Sequence, residues 1–99
     1  MAKRVDRNQS EIVKVFRQIG CRVLVLSDVG KGCPDLLISV PSSKRTALVE
    51  IKDGERPPSQ RKLTPMETSF HESWLGDLYI ISSAQEAVEL VNKLRCTDV

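Results

Sequence analysis

The stretch DLLISVPSSKRTALVEIKD, residues 35–53, contains two runs of β-forming residues on either side of a short polar turn. The runs at 35–40 and 45–53 are rich in Leu, Ile, Val and Thr, and the four residues PSSK, 41–44, join them. Such a connection has the ordinary length of a hairpin loop, so the two runs are predicted to pair as antiparallel strands. This hairpin is the centre of the predicted fold.

The register across that turn determines which side chains face one another. If Val40 pairs with Arg45, then Asp35 stands directly opposite Glu50. Side chains alternate along a strand, so Glu50 and Lys52 share one face of the hairpin. The residues predicted on the other face are Ala47, Val49 and Ile51. Three charged side chains therefore converge at one end of the hairpin.

Two opposed carboxylates form an unusual pair on neighbouring strands. Their Cβ atoms would lie roughly 4.5–5.5 Å apart, which is repulsive unless a cation or a proton lies between them. Oxygen ligands favour Mg²⁺ or Mn²⁺, and the carbonyl of Ile51 would add another oxygen. Such an ion polarises a phosphodiester, and Lys52 beside it would orient water or neutralise developing charge. Asp35, Glu50 and Lys52 are therefore the predicted catalytic residues.

The Glu-x-Lys triplet carries little information by itself. With seven Glu and seven Lys in 99 residues, it is expected by chance in roughly half of such chains. The triplet together with Pro34-Asp35 is a more specific signal. Pro34-Asp35 opens one strand, Glu50-x-Lys52 lies near the end of the partner strand, and the predicted register makes the two segments face each other. The alternative interpretation is an exposed ion pair on a polar strand face.

A helix and a strand precede the hairpin. Residues 6–19 place apolar residues at helical spacing, and Asn8 is predicted to cap this helix with Glu11 three positions on. Gly20 is the predicted stop, and the β-branched and aliphatic residues of 21–27 indicate a strand that runs into a turn-rich loop.

Two further helices and one strand follow the hairpin. Thr64 and Glu67 form a predicted capping box for a helix that ends near Trp74, with a strand at 77–82 after it. Ser83 opens a second capping box and the last helix. The predicted order is α-β-β-β-α-β-α, which indicates an α/β fold with a mixed sheet flanked by helices.

The composition is that of an ordinary globular domain. The chain has 99 residues, of which 40% are hydrophobic and 28% charged, so a single domain spanning 1–99 is expected. No apolar run approaches the roughly 18 residues of a membrane span, and no signal peptide is recognised. Three cysteines at spacings that fit no zinc site indicate reduced thiols. A cytoplasmic location is expected, and no membrane partner.

Basic residues follow the hairpin closely. Arg56, Arg61 and Lys62 are near enough in sequence to the predicted site to touch flanking phosphates. Gln60, between them, could approach the scissile phosphate. The net charge is only +2, and the alternative for all four residues is a solvated surface.

Motifs in the hairpin and in the loop after it resemble a known nuclease family. Pro34-Asp35 followed by Glu50-x-Lys52 is similar to the signature of the PD-(D/E)xK superfamily, whose restriction-endonuclease-like core has the same order of elements. The segments GCPDL (32–36), VEIK (49–52) and PSQRKLTP (58–65) resemble the VRR-NUC branch, in its standalone phage or prophage type. The resemblance covers nearly the whole chain, and for a phage-encoded protein it implies the cytoplasm of the host cell.

This resemblance implies a metal-dependent DNA endonuclease, with two residues whose roles stay open. Glu11 would be an additional acid near the metal, reaching it directly or through water; alternatively it only closes the first capping box. The family commonly carries Gln early in the helix after the hairpin, where this chain has Glu67, which would contact the site or only cap its helix.

The expected substrate and assembly follow from size and from the resemblance. A small chain offers little surface for branched DNA, whereas a homodimer would present two active sites to two strands. Standalone VRR-NUC proteins resemble Holliday-junction resolvases, so four-way junctions are the leading expectation, with no small-molecule cofactor. The competing class is a DNA-binding or interaction module without catalysis, which would have no reason to keep all three of Asp35, Glu50 and Lys52.

Overall fold

The computed structural model describes residues 7–95. The predicted start of the first helix at Asp6 and the side chain of Cys96 lie outside the described residues. The elements, in chain order, are α1 (Gln9–Gln18), β1 (Arg22–Val25), β2 (Leu36–Ser39), β3 (Thr46–Ile51), α2 (Pro65–Ser73), β4 (Leu78–Ile81) and α3 (Ala84–Arg95), with a short 3-10 helix at Pro58–Gln60. The predicted α/β order and mixed sheet are confirmed, and only the 3-10 helix was not predicted.

The four strands form one sheet in the order β1-β2-β3-β4. β1, β2 and β3 are antiparallel neighbours, whereas β4 is parallel to β3 because α2 carries the chain back to the same end of the sheet. In the central hairpin Leu36 pairs with Val49 and Ser39 with Thr46, which is the predicted register.

The hydrophobic core lies between one face of this sheet and a layer made of α1 and α3, which contact each other. Each helix contributes an apolar stripe at helical spacing. The strand residues on this face include Ala47, Val49 and Ile51, as predicted. Alternation then directs Glu50 and Lys52 to the opposite face, the side on which the N-terminal turn of α2 meets the sheet.

The predicted capping box at the start of α1 is wrong. Asn8 stands at the N-cap position but makes no side-chain cap hydrogen bond. Its Nδ2 instead donates to the carbonyl oxygens of Lys52, at 3.2 Å, and Ser82, at 3.0 Å. Two carbonyls at the ends of neighbouring strands compete successfully for this amide, so Asn8 ties α1 to the sheet.

The capping box of α2 is confirmed: Thr64 Oγ1 accepts from the N–H of Glu67, and the Glu67 side chain accepts from the N–H of Thr64. The loop before β2 packs closely on this helix start. Gly32 has a φ of +79°, and a Cβ there would lie 2.3 Å from the carbonyl oxygen of Met66. Glycine at position 32 therefore lets the segment that leads into Asp35 approach α2.

In residues 7–95, no helix has the length and apolar character that crossing a membrane requires.

Candidate active site

Asp35 lies just before β2, at the end of the hairpin opposite the turn. Its side chain is 3% exposed, and its Oδ2 accepts a hydrogen bond from the N–H of Ile51 at 2.7 Å. Its main-chain carbonyl accepts from the N–H of Leu26, also at 2.7 Å. Asp35 thus joins the strands on both sides of β2, which fixes its carboxylate at the edge where Glu50 and Lys52 emerge.

Glu50 and Lys52 lie on the same face of β3, next to the residue that Asp35 binds. The Glu50 side chain is 1% exposed, and its Oε2 is 3.6 Å from Nζ of Lys52. A carboxylate so fully removed from water needs nearby positive charge or hydrogen-bond donors. The structure therefore brings the three predicted catalytic residues to one end of the hairpin, with Asp35 attached through the main chain of Ile51.

Glu67 is a third acid at this place, supplied by α2. It is 6% exposed, and its Oε1 accepts from Nζ of Lys52 at 2.9 Å and from the N–H of Thr64 at 2.9 Å. Burial acts to raise the pKa of Glu67, but hydrogen bonds from Lys52 and Thr64 outweigh it and hold that pKa below its ordinary value. Glu67 contacts the site and also caps its helix, which answers the question its sequence position left open.

The donor chemistry fits a hard divalent cation. Asp35 and Glu50 offer carboxylate oxygens, and Ile51, which follows Glu50 in β3 and donates its N–H to Asp35, offers a carbonyl oxygen. Mg²⁺ and Mn²⁺ accept all of these ligands. A carboxylate has about four acceptor positions, so the bond from Ile51 to Asp35 leaves capacity for an ion. Within residues 7–95 no group of three His, Cys, Asp or Glu side chains is arranged to hold a metal. An ion here would therefore need the main-chain carbonyl and water beside two carboxylates.

Glu11 does not join Asp35 and Glu50 in such a group. Its side chain is exposed on α1 and lines a polar pocket together with Asp53 and Arg61. It also makes no capping box, because Asn8 binds elsewhere. The structure thus places Glu11 in a polar pocket whose lining does not include Asp35, Glu50 or Lys52.

The predicted DNA-contacting residues lie in and around the 3-10 helix that follows β3. Arg56 is 3.5 Å from Asp53 through Nε and 3.3 Å from Gln60 Oε1 through Nη1, so it is partly engaged within the protein. Gln60 and Lys62 are exposed, and Arg61 is half-buried beside the polar pocket. These four side chains, three of them basic, lie on the chain segment that links β3 to α2.

A buried polar pair near Asp35 was missed by the sequence reasoning. Gln9 is buried on α1, and its Nε2 donates to Oγ of Ser27 at 3.2 Å. Ser27 directly follows Leu26, whose N–H bonds to Asp35. The sequence contains an indication of this pair, because Gln9 falls within an otherwise apolar stripe of α1. A polar side chain buried in such a stripe requires a hydrogen-bond partner.

Comparison with known proteins gives one informative likeness. A solved structure described as a VRR_NUC domain superposes with a TM-score of 0.64 and 26% sequence identity, covering 87% of this chain and 91% of that chain. No family model matches the sequence, and no curated protein matches it. The likeness covers most of the chain, and it suggests a nuclease domain. The chain therefore has a fold similar to that of a VRR_NUC domain, and a place in the PD-(D/E)xK nuclease superfamily is consistent with this likeness.

Proposed function

We propose that this protein is a metal-dependent DNA endonuclease that hydrolyses phosphodiester bonds at the end of the β2–β3 hairpin. One observation carries the proposal: Asp35 is bonded to the main chain of β3 beside Glu50, and Glu50 is in turn 3.6 Å from the ammonium of Lys52. Two acids and one lysine at the edge of a VRR-NUC-like sheet are suited to phosphoryl chemistry.

Asp35, Glu50 and the carbonyl of Ile51 are the proposed ligands of Mg²⁺ or Mn²⁺. When bound, such an ion polarises the phosphodiester and promotes ionisation of water. Burial of both carboxylates excludes bulk water from their environment and so strengthens their attraction for a cation. Glu11 is exposed in a polar pocket whose lining does not include Asp35 or Glu50, so we assign it at most a water-mediated contribution.

Lys52 is the proposed electrostatic catalyst. The Lys52 side chain is 13% exposed, whereas that of Glu50 is 1% exposed. Of these two side chains, Lys52 is therefore the one that a phosphate in solvent would reach more easily. Beside that phosphate, Lys52 would orient the attacking water or stabilise the charge that builds up on the phosphate oxygens, an effect that is large in a preorganised site. Arg56, Gln60, Arg61 and Lys62 would hold the flanking backbone phosphates.

Branched DNA is the proposed substrate, with four-way junctions as the leading candidate, and the homodimer is the proposed active form. Two copies related by a two-fold axis would place two active sites on two strands. The likeness to a VRR_NUC domain supports a nuclease but does not distinguish among DNA substrates. The proposal places this activity in the cytoplasm, as expected from the predicted reduced cysteines.

A cleavage assay tests the proposal. The purified full chain is incubated with Mg²⁺ or Mn²⁺ on linear duplex, flap and four-way-junction DNA, beside Lys52→Ala and the control Lys93→Ala. Lys93 carries the same charge on α3, over the ring of Tyr79 and away from the Glu50 face. We expect wild type and Lys93→Ala to cut the junction and Lys52→Ala to be inactive. No cutting of any substrate, or equal cutting by Lys52→Ala, would overturn it; binding without cutting would favour a non-catalytic module.

A further inference from the structure

Glu67 links the start of α2 to Lys52 through a single oxygen atom. Its Oε1 accepts from Lys52 Nζ at 2.9 Å and from the N–H of Thr64 at 2.9 Å. The N–H of Glu67 in turn donates to Oγ1 of Thr64 at 3.1 Å. The capping box therefore determines where this carboxylate oxygen lies, and the oxygen determines where the ammonium lies.

The Lys52 ammonium is held between carboxylates from two different elements. Glu50 on β3 is 3.6 Å away, and Glu67 on α2 is nearer at 2.9 Å. A lysine side chain has a flexible four-carbon stem, and a single contact leaves it many rotamers. The 2.9 Å contact with Glu67 is a charge-assisted hydrogen bond, about twice as strong as a neutral one, whereas 3.6 Å to Glu50 is beyond hydrogen-bond distance. Glu67 therefore restricts Lys52 more than Glu50 does.

We propose that Glu67 is a positioning residue of the site, one that holds the Lys52 ammonium beside Glu50 ready for the substrate phosphate. This inference rests on the proposed nuclease function. Glu67 has no contact with the reacting atoms in this role; it acts through Lys52. The helix supplies the rigidity, because the carboxylate is fixed by the capping box and the start of α2 is packed against Gly32.

The test uses a matched pair of capping acids. Glu86 has a similar role at the start of α3: its N–H donates to Ser83 Oγ, and its Oε1 accepts from the N–H of Ser82, one residue before the capping serine. Glu67→Ala removes a cap, the Lys52 contact and a side-chain hydrogen bond with Glu50, whereas Glu86→Ala removes a cap away from these residues. Glu67→Gln keeps an oxygen that completes the capping box but removes the charge.

We expect Glu67→Ala to lower kcat on junction DNA by roughly 10- to 100-fold, since misplacing a catalytic group by about 1 Å can cost about 100-fold. KM should stay within about twofold, because ground-state binding of DNA does not need the ordered lysine. Glu67→Gln should restore part of the lost kcat, and Glu86→Ala should leave kcat unchanged. Equal kcat for Glu67→Ala and Glu86→Ala would overturn the proposal.

A second readout does not depend on nuclease activity. The order parameter of the Lys52 side chain, measured by NMR relaxation at Cε, should fall in Glu67→Ala, recover in part in Glu67→Gln and stay at the wild-type value in Glu86→Ala. If the protein cuts no DNA, this measurement alone decides whether Glu67 positions Lys52. An unchanged order parameter in Glu67→Ala would overturn the positioning role even in an active nuclease.

Discussion

The carboxylate of Asp35 accepts a hydrogen bond from the main-chain N–H of Ile51 at 2.7 Å, across the end of the central hairpin. The bond is buried and extends the pairing of β2 with β3 beyond the last backbone pair, Leu36 with Val49. Asp35 is therefore both a structural residue, which keeps the two strands together at the site, and a proposed metal ligand. Substitutions at this position must separate the two roles.

Asparagine and alanine at position 35 should separate them. Asp35→Asn keeps an oxygen that can accept from Ile51, so its free energy of unfolding should stay near that of wild type. Asp35→Ala leaves a buried N–H without its acceptor, which costs about 1–3 kcal/mol. Both should lose the binding heat of Mg²⁺ or Mn²⁺ in titration calorimetry, since neither retains the charge. Unchanged metal binding in Asp35→Asn would remove Asp35 from the ligand set.

The hairpin was predictable because turn length and side-chain alternation act locally. Four turn residues set the register, and that register brings Asp35 to the end of the hairpin beside Glu50 and Ile51. The capping box at Thr64 forms for the same local reason, and so does the bond from the N–H of Glu86 to Ser83, although the Glu86 carboxylate accepts from Ser82 instead of Ser83. The placement of Glu50 and Lys52 on one face follows from the alternation of side chains along β3 and the residue after it.

The features that sequence reasoning missed or left open depend on distant parts of the chain. Asn8 has the spacing of a capping residue, yet its amide binds carbonyls 44 and 74 positions away. The contact of Glu67 with Lys52 requires α2 to fold back onto β3, which no local pattern indicates. Gln9 needed Ser27 as partner, and that pairing exists only once β1 packs on α1.

The approach of Gly32 to α2 should make this glycine costly to replace. Gly30 and Gly32 have similar positive φ values, +75° and +79°, but a Cβ at Gly30 would meet nothing within 4 Å. Gly30→Ala should therefore cost only the left-handed strain of about 1–2 kcal/mol. Gly32→Ala should cost about 1–3 kcal/mol more, because its Cβ would collide with the backbone of α2. Urea unfolding of both variants measures the difference, and equal costs would contradict the packing argument.

The residues around the 3-10 helix should contribute to DNA affinity without reading sequence. Arg61→Ala and Lys62→Ala are each expected to weaken DNA binding. Each should also make the slope of log K against log salt shallower, by the amount that corresponds to the loss of about one phosphate contact. Lys14→Ala removes the same charge from an exposed position on α1 and should leave the slope unchanged. Fluorescence anisotropy at several salt concentrations provides the slopes. A slope that changes as much in Lys14→Ala would show only a general effect of net charge.

Asp53 should make stability depend on acid pH. The N–H of Glu55 lowers the pKa of Asp53 below its ordinary 3.8, against the opposing effect of burial and with help from Arg7 and Arg56. A lowered folded-state pKa means that this stabilisation is present above 3.8 and is lost as the pH falls through the lowered value. Asp53→Asn should therefore lower Tm at neutral pH and flatten the acid decline, whereas Asp28→Asn, at an exposed position, should change both less. Parallel Tm curves for wild type and Asp53→Asn would contradict this linkage.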